Sequence, residues 1–166
     1  MTEQEHDPFN EPERAHPRAR KLMTEEFFWD CADEEAPFGS DEGFDAYYEF
    51  RRWRSENASA PLIDCLSWIM EDELEGYTPH LFSDEQVQDD LAAPDNAFLA
   101  DSYDIFTLDA TVIATGLGQL MDEGRIDSEA KPYIRVAISR QLHPSIVTSD
   151  HRRGVLLATR RVVDVA

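Results

Sequence analysis

Every apolar run in this chain that is long enough to show a period repeats at helical spacing, and none alternates over more than a few residues. Between Pro61 and Glu75, the residues Leu62, Ile63, Leu66, Ile69, Met70 and Leu74 recur three and four apart, while Asp64, Glu71 and Glu75 take the other side. That spacing gives a helix with one apolar face, whereas a half-buried strand needs a period of two. The short stretch at Ile134–Ile138 alternates but fits a helix equally well.

The other elements follow from the same reading. "ARKLM" has helical composition and breaks at Thr24, which is expected to cap a turn carrying Phe27, Phe28 and Trp29. Ser40 or Asp41 caps a helix running to about Ser55. Ser83 with Gln86 reads as a capping box that opens a short helix to about Ala92. Thr107 or Asp109 opens the most apolar helix, which runs to about Asp122 and carries Gly116 and Gly118, where a neighbouring helix can approach closely. Two more helices follow, one over about Ser128 to Gln141 and one capped by Ser149 or Asp150 and running to about Val163. No unit of about 20–50 residues repeats. Six or seven helices with short connections predict an all-α fold, an irregular bundle. Residues 16–166 are expected to form a single all-α domain. Residues 1–15, acidic and interrupted by Pro8 and Pro12, are expected to be a disordered tail.

The 166 residues carry a formal charge of −20, and it is unevenly spread. Residues 1–104 hold 28 acidic and 7 basic side chains, against 7 and 8 in residues 105–166. A chain of this kind repels nucleic-acid phosphates and anionic membranes, and it steers a basic partner. The C-terminal arginines Arg135, Arg140, Arg152, Arg153, Arg160 and Arg161 are accordingly expected to pair with the acidic two-thirds rather than to form a nucleic-acid surface. No apolar run reaches about 18 residues, so no transmembrane helix is predicted. The N-terminal stretch has no apolar core of a signal sequence, which makes the cytoplasm the default location. Cys31 and Cys65 form no Cys-x-x-Cys and are expected to be reduced thiols, buried or half buried.

The stretch "EEAPFGSDEGFDAYYEFRRWR", Glu34 to Arg54, joins a Pro-Phe-Gly corner to an aromatic helix. Acids at 41, 42 and 45 lie at its positive end and Arg51, Arg52 and Arg54 at its negative end, as the macrodipole favours. Phe44, Tyr47, Tyr48, Phe50 and Trp53 cover more than half its circumference. Rings that each bury roughly 150–250 Å² are expected in the core. A sharper reading has some of them lining a partly open pocket with Phe38. The words "HPRARKLM", "EEFFW", "PFGSDEG" and "FRRWR" within residues 16–54 resemble the YfeS-like family of bacterial proteins. The resemblance implies a bacterial intracellular protein and transfers no catalytic role to any residue.

Asp41, Asp45 and Glu49 stand one turn apart on that helix, a spacing at which carboxylates can share a hard divalent cation. A solvated acidic face explains them as well, because the Glu-x-x-His partner of helical di-metal sites is absent. "MEDELEGYTPH" lacks the Asp-Gly pattern of a calcium loop. There is no Gly-x-Ser-x-Gly, no His-Glu-x-x-His and no complete phosphate or dinucleotide loop. These residues point to a non-catalytic, acidic protein-binding module of the cytoplasm, without cofactor or metal, whose partner is a protein with a basic surface; the bacterial setting is what the resemblance implies. The candidate interaction surface is Phe38, Asp41, Asp45, Tyr47, Tyr48, Glu49 and Trp53. Two other readings stay open: a small metal-assisted hydrolase using the Asp41/Asp45/Glu49 line, and an acidic inhibitor or immunity-type protein that imitates nucleic-acid charge.

Overall fold

The computed structural model describes residues 7–77, 83–92 and 104–166. Among them it has seven α-helices and no strand: α1 (Pro17–Leu22), α2 (Asp41–Glu56), α3 (Leu62–Ile69), α4 (Asp84–Ala92), α5 (Ile105–Glu123), α6 (Lys131–Gln141) and α7 (Asp150–Val165). Short 3-10 turns cover Pro12–Arg14, Glu26–Trp29 and Leu74–Gly76. The all-α expectation is met. No helix among the described residues is long and apolar enough to cross a membrane.

α5 is the axis of the bundle, with 14 of its 19 residues buried. α2 packs alongside it in the same sense, α6 packs antiparallel on another face, and α7 covers α6. The two glycines of α5 make this possible. A Cβ on Gly116 would lie 2.4 Å from Ile134 Cδ1 on α6, and one on Gly118 would lie 3.0 Å from Tyr47 Cδ1 on α2. The C-terminal end of α5 is stopped by Gly124 at φ +78°, where a side chain would also strike the His16 ring. Arg18 on α1 donates to the carbonyls of Gly124 and Ala166, so the first helix ties the ends of α5 and α7 together.

Several expected boundaries move. α5 opens at Asp104, whose side chain accepts from Thr107 N at 2.8 Å, not at Thr107 or Asp109. The 3-10 turn at Glu26–Trp29 has no side-chain cap, so Thr24 does not act as one. Ser83 accepts from Gln86 N at 3.3 Å, but the Gln86 side chain bonds Asp90 instead of returning to the cap. α3 stops at Ile69, about six residues short of its expected end at Glu75, because Glu71 and Asp72 adopt left-handed φ of 53° and 68°. Prolonging it would stack Glu71, Asp72, Glu73 and Glu75 on the negative end of the helix dipole. Residues 7–15 of the expected tail are folded onto the bundle: the Phe9 ring lies 5.4 Å from Phe38 and 5.9 Å from Tyr47, and Ala15 is buried. Residues 1–6 lie outside the described residues.

The core contains one charged group that sequence periodicity places at a helix start. Asp109 is fully buried on α5 and is met by Arg140 of α6, also fully buried. Tyr77 OH donates to the same carboxylate oxygen, and Gln141 Nε2 donates to the other at 3.1 Å. Burial pushes the Asp109 carboxyl up, to about 7, against the opposing pull of Arg140, Tyr77 and Gln141. Its folded pKa thus lies above the unfolded value of about 3.9. The folded chain therefore holds the proton more tightly. This group's contribution to stability is full below about pH 4 and is lost as pH rises towards 7. Arg140→Met is expected to destabilise by about 3–5 kcal/mol at about pH 9, above the Asp109 pKa, where it strands a buried carboxylate. The loss should shrink at pH 5, where Asp109 takes up a proton. Urea unfolding at both pH values measures it, and an equal loss at the two would show that Asp109 is not the group left stranded.

Candidate functional site

The corner before α2 sets that helix's entry. A Cβ on Gly39 would lie 1.6 Å from Asp33 O, and one on Gly43 would lie 1.8 Å from Pro37 O, so both positions accept only glycine without rearrangement. Ser40 caps the helix by accepting from Gly43 N at 3.1 Å. The far end is anchored by arginines. Arg51 binds Asp122 through Nε at 2.9 Å and through a terminal nitrogen at 2.8 Å, and Arg54 binds Glu123 at 2.8 Å. Tyr47 OH donates to Asp122 at 2.7 Å. Burial first, and the Asp122 carboxylate second, hold the Tyr47 phenol above its ordinary range, so it remains a donor.

With α2 held in this way, its aromatic and acidic residues separate. Phe38, Tyr47, Phe50 and Trp53 are in the core. Of the expected interaction surface, Phe38, Tyr47 and Trp53 therefore face the interior and drop out: Phe9 covers Phe38 and Tyr47, Tyr47 also packs against Gly118 of α5, and the Trp53 ring stacks beside Phe50. Tyr48 is half-buried. Asp41 and Asp45 are exposed, and Glu49 pairs with the exposed Arg52.

The acidic line forms one wall of a groove of about 1390 Å³. Asp64, Trp68, Glu71 and Asp72 form the facing wall, and Ala46, Thr107 and Thr111 lie along the floor. Among the described residues, seven carboxylates (Asp41, Glu42, Asp45, Glu49, Asp64, Glu71, Asp72) face this space against one cation, Arg52. The left-handed residues that end α3 deliver two of them. Asp72 N bonds back to Ser67 O at 2.8 Å, and Ser67 Oγ reaches Asp72 Oδ1 at 3.2 Å. Non-glycine residues in that region cost on the order of 1 kcal/mol or more each. Trp68 stands at the rim with 47% of its surface exposed. The sequence signal for it was present: Asp64 and Trp68 stand four apart on the polar side of α3, and Glu71 follows three residues on.

The other candidate groups resolve separately. No group of three or more His, Cys, Asp or Glu side chains among the described residues is arranged to hold a metal ion. Cys65 is buried, and burial pushes its thiol up to about 12, while Cys31 is exposed rather than half buried. Of the arginines near the C-terminus, Arg161 pairs with Glu25 at 2.6 Å, Arg152 donates to Glu35 O at 2.6 Å and Arg135 pairs with Asp164 at 3.0 Å. Arg153 and Arg160 are exposed. His80 lies outside the described residues.

No family model, no curated protein and no solved structure matches this chain.

Truncating a core ring and an exposed carboxylate of the same helix separates the two faces. Trp53→Ala is expected to destabilise by about 3–5 kcal/mol. Asp45→Ala is expected to change stability by no more than about 0.5 kcal/mol. Denaturant unfolding measures both, and a stable Trp53→Ala variant would put that ring back on the surface.

Proposed function

We propose that the protein is a non-catalytic binding module of a bacterial cytoplasm, and that the groove between α2, α3 and α5 receives a Lys- and Arg-rich segment of a protein partner. The observation that carries this reading is the facing of seven carboxylates across one concavity with a single arginine among them. Like charges brought together without internal counter-ions repel one another, and a cationic ligand relieves that repulsion. Trp68 supports the same chemistry, since a guanidinium or ammonium over an indole face gains about 0.5–1 kcal/mol at an exposed site. The concave arrangement favours enclosing an extended basic segment over presenting a convex, nucleic-acid-like array of charge. The absence of a three-ligand cluster among the described residues gives the hydrolase reading no support in geometry.

Binding of this kind is steered over a distance. The screening length falls from about 10 Å at 0.1 M salt to about 3 Å at 1 M, so association should slow steeply between the two. A synthetic Lys/Arg-rich peptide titrated against the protein is expected to quench or shift Trp68 fluorescence, with affinity falling at least tenfold from 0.05 to 0.3 M salt. Asp45→Lys with Glu71→Lys, both exposed and on opposite walls, should weaken binding by a further tenfold or more at low salt while leaving unfolding unchanged. Affinity indifferent to salt and to the double reversal would refute the groove as the basic-segment site.

A further inference from the structure

α7 turns one side to the core and leaves the opposite side bare. Val155, Leu156, Thr159, Val162 and Val163 are buried. Diametrically across the helix run Asp150, Gly154, Leu157 and Arg161, spaced four, three and four apart, the interval at which one helix meets another along a seam. Leu157 is 42% exposed and Val165, on the same side, 55%. They are two of the four large hydrophobic residues exposed among the described residues. Gly154 sits inside the helix, where glycine is weaker than alanine, yet a Cβ built there would meet nothing within 4 Å. No contact among the described residues accounts for it. A shallow groove of about 510 Å³ lies over the seam, lined by its four residues and flanked by Glu25, Phe27, His151 and Ala158.

We propose that this face is the contact between two copies of the chain, α7 packing antiparallel on α7 of the second copy about a twofold axis passing between Val155 and Leu156. The seam is self-complementary about that point and about no other in the helix. Antiparallel pairing there sets Asp150 against the partner's Arg161 and Gly154 against the partner's Leu157, each twice by symmetry. The leucine fills the space that glycine leaves, and two opposite-charge pairs close the ends. Arg161 already meets Glu25 at 2.6 Å, and its guanidinium has five donors, enough for a second carboxylate. The seam shares no residue with the acidic groove. A 16-residue helix is about 24 Å long, so one helix pair and its flanks reach only the low end of stable interfaces, about 1,000–1,200 Å². The dimer is therefore reversible and concentration-dependent.

Sedimentation equilibrium of the full chain tests this. The wild-type protein should pass from monomer to dimer between micromolar and several hundred micromolar. Asp150→Arg and Arg161→Asp should each be monomeric across that range, because each sets like charges face to face. An equimolar mixture of the two should recover the dimer, since every altered side chain then meets its complement. Gly154→Ala should raise the Tm of the dilute monomer while weakening association at least tenfold, because its methyl group occupies the partner leucine's space. Circular dichroism verifies that each variant is folded. A wild-type chain that stays monomeric, single variants that still dimerise, or a mixture that does not would each overturn the proposal.

Discussion

The meeting of Asp109 with Arg140 inside the bundle fixes how the remaining helices are placed. Both side chains are fully buried, and together they join the start of α5 to the end of α6 at one register. A buried ion pair is weak evidence for net stability, because desolvation offsets most of the attraction. Its effect is on alternatives. Any slip of α6 along α5 would leave a carboxylate and a guanidinium in apolar surroundings, at a cost of several kcal/mol. Tyr77 and Gln141 bond the same carboxylate, so the chain after α3 is drawn to the same point.

Once α5 is held there, the groove follows from packing. α2 runs parallel to α5, anchored at its far end by Arg51 on Asp122 and Arg54 on Glu123. Its acidic first half is thereby set beside the start of α5, near Thr107 and Thr111. α3 returns in front of it and breaks off at Ile69, since four acids cannot be stacked favourably on a helix C-terminus. The left-handed turn that replaces its last helical turn aims Glu71 and Asp72 at the α2 wall. One packing constraint deep in the core and one local electrostatic constraint thus bring together carboxylates from two segments.

Much of this was legible in the sequence, and the rest was hidden for physical reasons. Ser40 and Ser149 are recognisable caps because capping is local: each accepts from an amide three residues on. Helical period separates the buried from the exposed side of α7 as well. Asp109 was misplaced because a carboxylate near the start of an apolar run is most often a cap, and its real partner lies 31 residues away on another helix. The rings of α2 cover too much of the helix for periodicity to say which stay outside. Only the approach of Gly118 and Phe9 decides that Tyr47 is buried while Tyr48 is half-buried. The Asp41/Asp45/Glu49 wall could be read from spacing alone, but the facing wall could not, because it depends on where α3 ends.

At both proposed surfaces the chain bears a local cost that no other described residue offsets. Gly39, Gly43, Gly116, Gly118 and Gly124 weaken the backbone, and each has a neighbour that a Cβ would strike, so packing accounts for them. Asp109 is costly to bury, and Arg140 accounts for it. Gly154 is different from those five glycines, because no described residue approaches it. The acidic groove is different from the Asp109 site, because its carboxylates outnumber its cations by seven to one. An unexplained cost inside a protein is usually a flaw in the description of its packing. The same cost at a surface has another resolution, which is a molecule that is not part of the chain: a positive one across the groove, and a second copy of the same helix across Gly154.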